Sequence, residues 1–533
     1  MRSVLIAIAF LAVTTGCGDD NQRSGDIPGD DVMMDSGSDT TSPDVVPDVA
    51  GDTAPDVVES GMSRLRAEGM NIVDEDGNVV VLKGVNLGGY LYHETWLTLV
   101  DYSAQARAWK VAVEMELEDI VRPVLVAIGP QIVAGMVGVS DGSGGSIGAD
   151  AWLELLRTEL GEVADTATVE AYFTELEKYL PAIYDDSDLP IYTKLEERFG
   201  IEARDSLLDT YQGAWIQERD IEWLAGQGFN LVRVPIGYRT LTKGSHLAQP
   251  TELVWNEDAF ARIHALLDWC EKWGVYAVLD IQECPGGQND YSGPALLYST
   301  HMYQDMTVDL WEEMSARFHD RNVVAAYSLL AEPMGAPSRK ARDDMYDKLV
   351  KAIRALGDDH LLVIHDGFKG MDGMADPAEY GWTNVVFSTH IFEWSARNFD
   401  TFKGTVDLYD FFFRTAQETR NVPYFIGSFS GIFDEPWAYE AVEYIVEWMG
   451  KYGWSWSLWA YKDVQDPVAA DLWGDKSSWG VKSRLVGEFD RPDLFIDSEE
   501  TVRQKFASYG SLELEVNQTL LDVLKADLQS QPE

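Results

Sequence analysis

The chain has 533 residues, of which 46% are hydrophobic, and 90 acidic against 41 basic side chains give it a formal net charge of −49. A chain of this length can bury a sizeable core. So negative a charge repels nucleic acid and anionic membrane surfaces, which argues against both as main partners and favours a neutral or cationic ligand.

The first seventeen residues have the pattern of an export signal. The apolar run Val4–Val13 is followed by Thr14, Thr15 and Gly16 and then by Cys17. This run is too short for a permanent bilayer span. A cysteine directly after small residues resembles a bacterial lipoprotein signal, although Thr14 stands where leucine is usual; the alternative is an ordinary cleaved signal peptide. We expect residues 1–17 to direct export and lipidated Cys17 to anchor the protein at the bacterial cell envelope or surface.

Residues 18–60 have the composition of a disordered linker. They contain 11 Asp and Glu59 against a single Arg, together with repeated Pro-Asp-Val segments. Like charges, Pro and Gly cannot collapse into a core. A calcium loop is the alternative, but no Glu stands at the required offset from a Gly. We therefore place the folded domain at residues 61–533.

The folded part begins with a predicted β-hairpin and continues as repeated strand and helix units. The hairpin joins Met70–Val73 to Val79–Leu82 through Asp76-Gly77. Eight short apolar runs follow, at Gly84–Leu87, Asn230–Pro235, Tyr276–Ile281, Ala325–Leu330, Leu361–His365, Val385–Thr389, Tyr424–Ile426 and Ser455–Trp459. Helical periodicity lies between them at Asn256–Trp273, Gln304–Phe318, Lys340–Leu356 and Trp437–Gly450.

Continuous apolar strands that alternate with amphipathic helices indicate an α/β fold whose parallel sheet is covered on both faces. Eight units favour a closed (β/α)8 TIM barrel. A doubly wound open sheet is the alternative, but no Gly-x-Gly-x-x-Gly follows the first strand.

The long gap between the first two barrel strands predicts an insertion over about residues 94–214. It is mostly helical in pattern, with a Gly/Ser loop at Gly142–Gly148. Its apolar run Val124–Val137 is interrupted by Gly129-Pro130, which argues against a membrane span. We expect this insertion to shape one wall of a cleft.

The cysteines and histidines give no metal motif, and we expect no metal and no cofactor. Besides Cys17, only Cys270 and Cys284 are present, which is too few for a disulfide framework, and zinc-binding spacings are absent from the sequence. Cys270 is interpreted as a thiol in a helix core and Cys284 as a residue at the cavity rim; a disulfide between them stays open.

In a (β/α)8 barrel the active site lies at the carboxyl ends of the strands. The residues that follow the predicted strands are therefore the candidates for chemistry. They are Arg233, Gln282, Glu283, Ala331, Glu332, Asp366, His390, Phe392, Ser428, Trp459 and Lys462.

These residues stand in segments that together resemble glycoside hydrolase family 5, the cellulase and β-glucanase family, over about residues 65–510. Each segment is weakly specific alone, but their order and spacing identify the chain as a member. They are Leu82–Gly89, Gly228–Pro235, Leu279–Ile281, Pro285–Gln288, Tyr327–Pro333, Asn384–His390, Pro423–Phe429 and Gly453–Lys462.

The resemblance implies a retaining double displacement by two glutamates about 5 Å apart. Glu332 matches the acid/base position. The nucleophile position falls on Ser428, because this chain has Gly427-Ser428-Phe429 where the family has Gly-Glu-Phe.

Three further positions around the same cavity depart from the family pattern. Ala331 replaces the Asn that grips the 2-hydroxyl, Gln282 replaces a His, and Phe392 replaces the Tyr that bonds the nucleophile. Arg233, His390 and Trp459 match. The scaffold is thus kept while much of the catalytic shell differs, and the active site is degenerate.

A serine hydroxyl is neutral at pH 7 and attacks only with an adjacent base. The standard mechanism therefore looks disabled unless Glu283 or Asp366 supplies the second carboxylate in an inverting arrangement. The simpler interpretations are a solvated loop charge for Glu283 and a cap or salt bridge for Asp366.

The matching residues have simpler interpretations as well. Arg233 is either a site residue or a buried structural partner of Glu332. Trp459 is expected to be a sugar platform rather than plain barrel rim. Lys462 is interpreted as a solvated loop lysine.

The leading hypothesis is a glycosidase that acts on β-glucan-type polysaccharide or oligosaccharide as a monomer, with a lipid anchor as its only membrane contact. The alternative is a catalytically inactive cell-surface carbohydrate-binding pseudoenzyme, in which Gln282, Glu283, Ala331 and Phe392 line a binding cleft. A purely structural adhesion module is the third possibility.

Overall fold

A computed structural model describes residues 61–94, 97, 104–137, 149–179, 187–289, 294–393, 396, 398–431, 436–464, 480–486 and 489–528. The signal segment 1–17, Cys17, the linker 18–60 and the loop Gly142–Gly148 lie outside these ranges, so their expectations stay predictions.

The described chain opens with a hairpin that the sequence reasoning did not predict. β1 (Arg66–Glu68) pairs antiparallel with β2 (Asn71–Val73), and Val79 makes only an isolated bridge to Val73. Gly69 has φ +60, a left-handed conformation that allows the tight reversal between β1 and β2. The next segment is drawn into the barrel instead, where the Leu82 amide donates to Ser455 Oγ at 3.0 Å.

Eight parallel strands close into a barrel, which confirms the predicted (β/α)8 fold. Their order around the barrel follows the chain, and the last strand pairs with the first. The strands are β3 (Lys83–Asn86), β4 (Leu231–Gly237), β5 (Tyr276–Glu283), β6 (Val324–Ser328), β7 (Leu361–His365), β8 (Val385–Ile391), β9 (Tyr424–Phe429) and β10 (Ser455–Leu458).

The insertion between β3 and β4 is helical, as predicted, and its first four helices enclose a hydrophobic cluster of their own. The second of these helices continues through Gly129-Pro130, where the sequence suggested an interruption. The insertion helices are α1 (Ala104–Glu114), α2 (Glu118–Val137), α3 (Ala149–Val163), α4 (Thr166–Leu176), α5 (Leu189–Phe199) and α6 (Ile201–Trp215).

The remaining helices connect the barrel strands, and their apolar faces pack on the outside of the barrel in one large core. Ser338 and Asn398 cap two of them with side-chain oxygens. The helices are α7 (Glu218–Gln227), α8 (Tyr238–Leu241), α9 (Glu257–Trp273), α10 (His301–Phe318), α11 (Arg339–Ala355), α12 (Pro377–Tyr380), α13 (Phe399–Arg420) and α14 (Pro436–Lys451).

The end of the chain adds elements that the sequence reasoning did not predict. Asp527 of the last helix pairs with Lys83 at 3.0 Å and accepts from the Trp456 indole at 3.1 Å, which ties this helix to the first and last barrel strands. These elements are β11 (Lys482–Leu485), α15 (Glu499–Ser508), β12 (Leu514–Val516) and α16 (Gln518–Leu528). Among the described helices, none combines the length and apolar character needed to cross a bilayer.

Candidate active site

The inside of the barrel changes from apolar to polar along the strands. Its lower part is a cluster that includes Leu231, Val278, Ala326 and Val386. Since strand side chains on one face recur every second residue, the next inward positions on the same strands lie nearer the carboxyl end. Those positions are Arg233, Asp280, Ser328 and Ser388. The barrel mouth is therefore lined with polar groups on a rigid apolar base.

Arg233 is the charged centre of this polar part. Its side chain is 1% exposed, and its guanidinium lies 2.8 Å from Asp280 Oδ2 and donates to Asn86 Oδ1 at 2.7 Å and to Gln282 Oε1 at 3.2 Å. Burial raises the pKa of Asp280, while the charge of Arg233 opposes that shift. Arg233 is thus buried and forms an ion pair with Asp280, whereas the interpretation named Glu332 as its partner.

Glu332 and His390 meet at the mouth. Glu332 follows β6 with φ +44, and its Oε1 lies 2.6 Å from Nδ1 of His390 on β8. Burial and the charge of Arg233 hold the pKa of His390 well below its ordinary value. The imidazole is therefore neutral at pH 7, and its Nδ1–H donates to the carboxylate, which fixes the orientation of Glu332.

The backbone around Glu332 is held by a glutamine to which the sequence reasoning gave no role. Gln288 Nε2 donates to the carbonyl oxygens of Gln282 at 2.7 Å and Ala331 at 2.8 Å. The Ala331 amide donates to Ile281 O at 3.0 Å. Gln288 thus joins the ends of β5 and β6. Its place in the Pro285–Gln288 segment was the only sequence signal for it.

Ser428 lies beside His390, on the inner face of the barrel. The two residues are register partners of β9 and β8, and so are the next residues, Phe429 and Ile391. The pairing of the two strands shifts register between Thr389 and His390. Beyond that shift Phe429 and Ile391 belong to the outer core, so the residues before them, Ser428 and His390, face the barrel axis. Ser428 is 1% exposed, and its Oγ has no hydrogen-bond partner within the described residues.

The structure therefore places both predicted catalytic positions next to one imidazole. Glu332 is bonded to His390, and Ser428 is the register partner of His390 on the neighbouring strand.

Trp459 lies in an apolar cluster with Leu97 and Ala460, against which Phe392 packs. A Cβ atom at Gly88 would lie 2.5 Å from Leu97 Cδ2 and 3.3 Å from the Trp459 ring, so only glycine fits at that position. Trp459 is 5% exposed. Sugar stacking would need a face of the ring that Leu97 leaves uncovered, and the platform role stays a prediction.

Glu283 is a buried ion-pair partner, so its interpretation as a solvated loop charge is wrong. It is 1% exposed, and its Oε2 accepts from Arg239 at 2.8 Å and from the Tyr92 hydroxyl at 3.4 Å. Arg239 also contacts Asp188 Oδ1 at 2.5 Å. The Arg239 guanidinium is thus shared by Asp188 and Glu283. Glu283, which could have replaced the nucleophile, is therefore engaged in an ion pair.

Asp366 acts as a cap. Its Oδ1 accepts from the Phe368 amide and from Thr389 Oγ1, both at 3.0 Å. Burial raises the pKa of this carboxyl. These contacts agree with the capping interpretation and give the carboxylate partners other than a sugar.

Two side-chain interpretations at the barrel edge need correction. Lys462 is 11% exposed, pairs with Asp220 at 2.7 Å and donates to Trp215 O at 2.8 Å, so it is not a solvated lysine. Cys284 is fully buried rather than at the rim, and burial raises its pKa to about 12. Cys270 lies in the core of α9 as expected, and both thiols are free.

Within the described ranges, no three His, Cys, Asp or Glu side chains are grouped so that they could hold a metal ion. Asn86, Asp280 and Gln288 are the site residues that the sequence reasoning missed.

Comparison with known proteins finds distant similarity to several glycosidases. The chain is 24% identical over 339 residues to a β-xylosidase of Phanerodontia chrysosporium, covering 62% of this chain and 52% of that protein. It is 29% identical over 203 residues to a glucan 1,3-β-glucosidase of Pichia angusta, covering 35% and 44%. The crystal structure of an endoglucanase from Thermotoga maritima superposes with a TM-score of 0.42 at 16% identity, covering 58% and 90%.

The chain spans about half the length of the curated relatives it matches. The family described as cellulase, glycosyl hydrolase family 5, matches residues 197–465, which include Arg233, Glu332, His390, Ser428 and Trp459. Because this match takes in half of the chain and the barrel closes as the family fold requires, the chain belongs to glycosyl hydrolase family 5.

Proposed function

We propose that this protein acts on a β-glucan-type polysaccharide at the barrel mouth, with Glu332 as the proton donor and acceptor at the glycosidic oxygen. The observation that carries the proposal is the 2.6 Å contact between Glu332 and a neutral, buried His390 at the carboxyl end of the strands. The substrate class is supported by the relatives, among them the glucan 1,3-β-glucosidase of Pichia angusta.

The ordinary retaining reaction lacks its second carboxylate in this arrangement. Ser428 occupies the nucleophile position, and Glu283 and Asp366 are engaged with Arg239 and Thr389. A serine needs an adjacent base to attack, and Ser428 Oγ makes no hydrogen bond to His390 or to any other residue that the structure describes, so no base is in place for it. We propose that hydrolysis with retention is absent or very slow.

The same observations support a second function, a glycan-binding protein that cleaves nothing. Ala331, Gln282, Phe392 and Ser428 all differ from the family pattern around one centre. A binding cleft does not need a matched pair of carboxylates, whereas hydrolysis does.

A glycan array run beside an activity panel on the full-length protein separates the two functions. We expect binding to β-glucan oligosaccharides, with no retained-anomer product from aryl β-glucosides or laminarin. Glu332→Gln should keep binding, because it preserves the shape of the side chain. Robust turnover with retention would contradict the proposal, and so would an array without any bound glycan.

We further propose that the protein is exported and lipid-anchored through Cys17. Support comes from the apolar run and small residues that precede Cys17. Incorporation of labelled fatty acid in a bacterial host, and its loss in Cys17→Ser, is the expected result; equal labelling of both proteins would refute the anchor.

A further inference from the structure

We propose that a small oxyanion, of which inorganic phosphate and formate are the probes, supplies the nucleophile on the Ser428 side of the mouth. The site would then transfer a glycosyl group with inversion instead of hydrolysing it with retention. This inference rests on the proposed function, since it needs a β-glycoside bound across Glu332.

The first support is the Ser428 hydroxyl. It is 1% exposed, faces the barrel axis beside His390 and donates to no group among the described residues. A buried hydroxyl without a partner costs free energy, and native structures usually satisfy such groups. An oxyanion placed at the anomeric carbon would accept this hydrogen bond and lie where the family carries its carboxylate.

The second support is the local charge. A glutamate at position 428 would repel an incoming anion, and serine removes that repulsion. The guanidinium of Arg233 lies one side chain away: Asn86 accepts from it at 2.7 Å and donates to Gly427 O at 3.2 Å.

The third support is that Glu283 and Asp366, the two described carboxylates considered as a base for water, are both engaged with other groups. Inverting hydrolysis needs a second carboxylate to deprotonate the attacking water. Glu283 is held by Arg239 and Asp366 by Thr389 and the Phe368 amide. An oxyanion attacks without a base, because it already carries its negative charge.

The chemical step balances without any other co-reactant. An oxygen of dihydrogen phosphate forms a bond to the anomeric carbon on the face opposite Glu332, while the bond from that carbon to the glycosidic oxygen breaks. The electron pair of the broken bond stays on the departing oxygen, which takes the proton of Glu332. One of the two protons on the phosphate then returns to Glu332, and the products are a singly protonated α-glycosyl phosphate and an alcohol.

The test uses the full-length protein and the dinitrophenyl β-glycoside of the oligosaccharide that it binds. This leaving group departs without a proton, so the assay isolates nucleophilic attack from acid catalysis. We expect phosphate and formate to raise the rate at least about tenfold over chloride at matched ionic strength. Phosphorus NMR should show an α-glycosyl phosphate. A rate that does not respond to either anion would overturn the inference, and so would release of free sugar alone.

Two variants sharpen the test. Ser428→Glu should lose the response to both anions, because the protein again carries a negative charge at that position. Ser428→Ala should keep glycan binding and need more phosphate to reach half-maximal rate. Glycan binding without any anion effect would defeat this inference alone, whereas loss of glycan binding in the unmodified protein would defeat the proposed function.

Discussion

The two sides of the barrel mouth differ in how completely their polar groups are held. On the β6 side, Glu332 is fixed by His390 at 2.6 Å, and Gln288 secures the backbone beneath it. On the β9 side, Ser428 has a hydroxyl without a partner among the described residues, and Phe392 packs on the apolar Trp459 cluster. The β6 side thus holds its carboxylate in a fixed orientation, whereas the β9 side carries a buried hydroxyl that makes no hydrogen bond within the described residues.

The largest contrast is expected between substitutions on the two sides. Glu332→Gln should lower phosphate-dependent cleavage of natural β-glucan by about 10²–10⁴-fold, the usual contribution of a general acid. Ser428→Ala should cost far less, because it removes one hydrogen bond. Initial rates with equal glycan affinity check this, and similar losses in the two variants would break the comparison.

Substitution of Arg239 tests whether its buried ion pairs with Glu283 and Asp188 stabilise the fold. Arg239→Met should lower the free energy of unfolding by about 3–5 kcal/mol, since it leaves two buried carboxylates without their cation. Lys243→Met is the matched control, because the exposed pair of Lys243 with Asp258 should contribute at most about 1 kcal/mol. Denaturant titration measures both, and a stable Arg239→Met would return Glu283 to the list of catalytic candidates.

Acid should lower the free energy of unfolding through His365, the last residue of β7, whose ring lies 4.4 Å from the ring of His390. Burial, and after it the charges of Arg233 and Arg342, hold the pKa of His365 well below its ordinary value of 6.5. The unfolded chain takes up a proton there below pH 6.5 and the folded chain does not, so stability is full above pH 6.5 and falls as the pH drops.

His365→Gln should reduce that fall by about 1.4 kcal/mol per pH unit, or about 2 kcal/mol between pH 6.5 and pH 5. Glutamine can still accept the Gly367 amide hydrogen bond that His365 Nδ1 accepts at 2.9 Å. Unfolding free energies of both proteins at pH 7.5, 6 and 5 check the prediction. Parallel curves would show that His365 is protonated equally in the folded and unfolded chains.

The smallest effect concerns repair of the β9 side. Ser428→Glu alone should restore only part of the retaining activity, because Ala331 and Phe392 leave the new carboxylate and the sugar poorly held. Adding Phe392→Tyr should raise kcat/KM by roughly 2–10-fold, the worth of one net hydrogen bond. Full activity from the single change would show that the other departures do not matter.

The sequence predicts the barrel well because its strands are buried on both faces. Leu361–His365 is predicted at its observed bounds, and the other seven strands lie within a few residues of theirs. The predicted hairpin of Met70–Val73 with Val79–Leu82 forms next to its turn, where Val73 bridges Val79 and the Val80 amide donates to Ile72 O at 2.9 Å, while the end of this segment leads into barrel strand β3.

The site is predictable only where family motifs mark it. Glu332, His390 and Ser428 come together as their motifs imply. The partners of Glu283 and Lys462 could not be found, because Arg239 and Asp220 lie far away in sequence and buried ion pairs leave no local pattern. That Glu283 and Lys462 are buried depends on the closed fold, and the residues next to them in sequence do not indicate it.

The most direct test of the account is a trapping experiment with a fluorinated mechanism-based β-glycoside of the bound sugar, followed by intact mass measurement. The account predicts no glycosyl adduct on the unmodified protein, because Ser428 cannot form one, and an adduct on Ser428→Glu. A glycosyl adduct on any residue of the unmodified protein would contradict it.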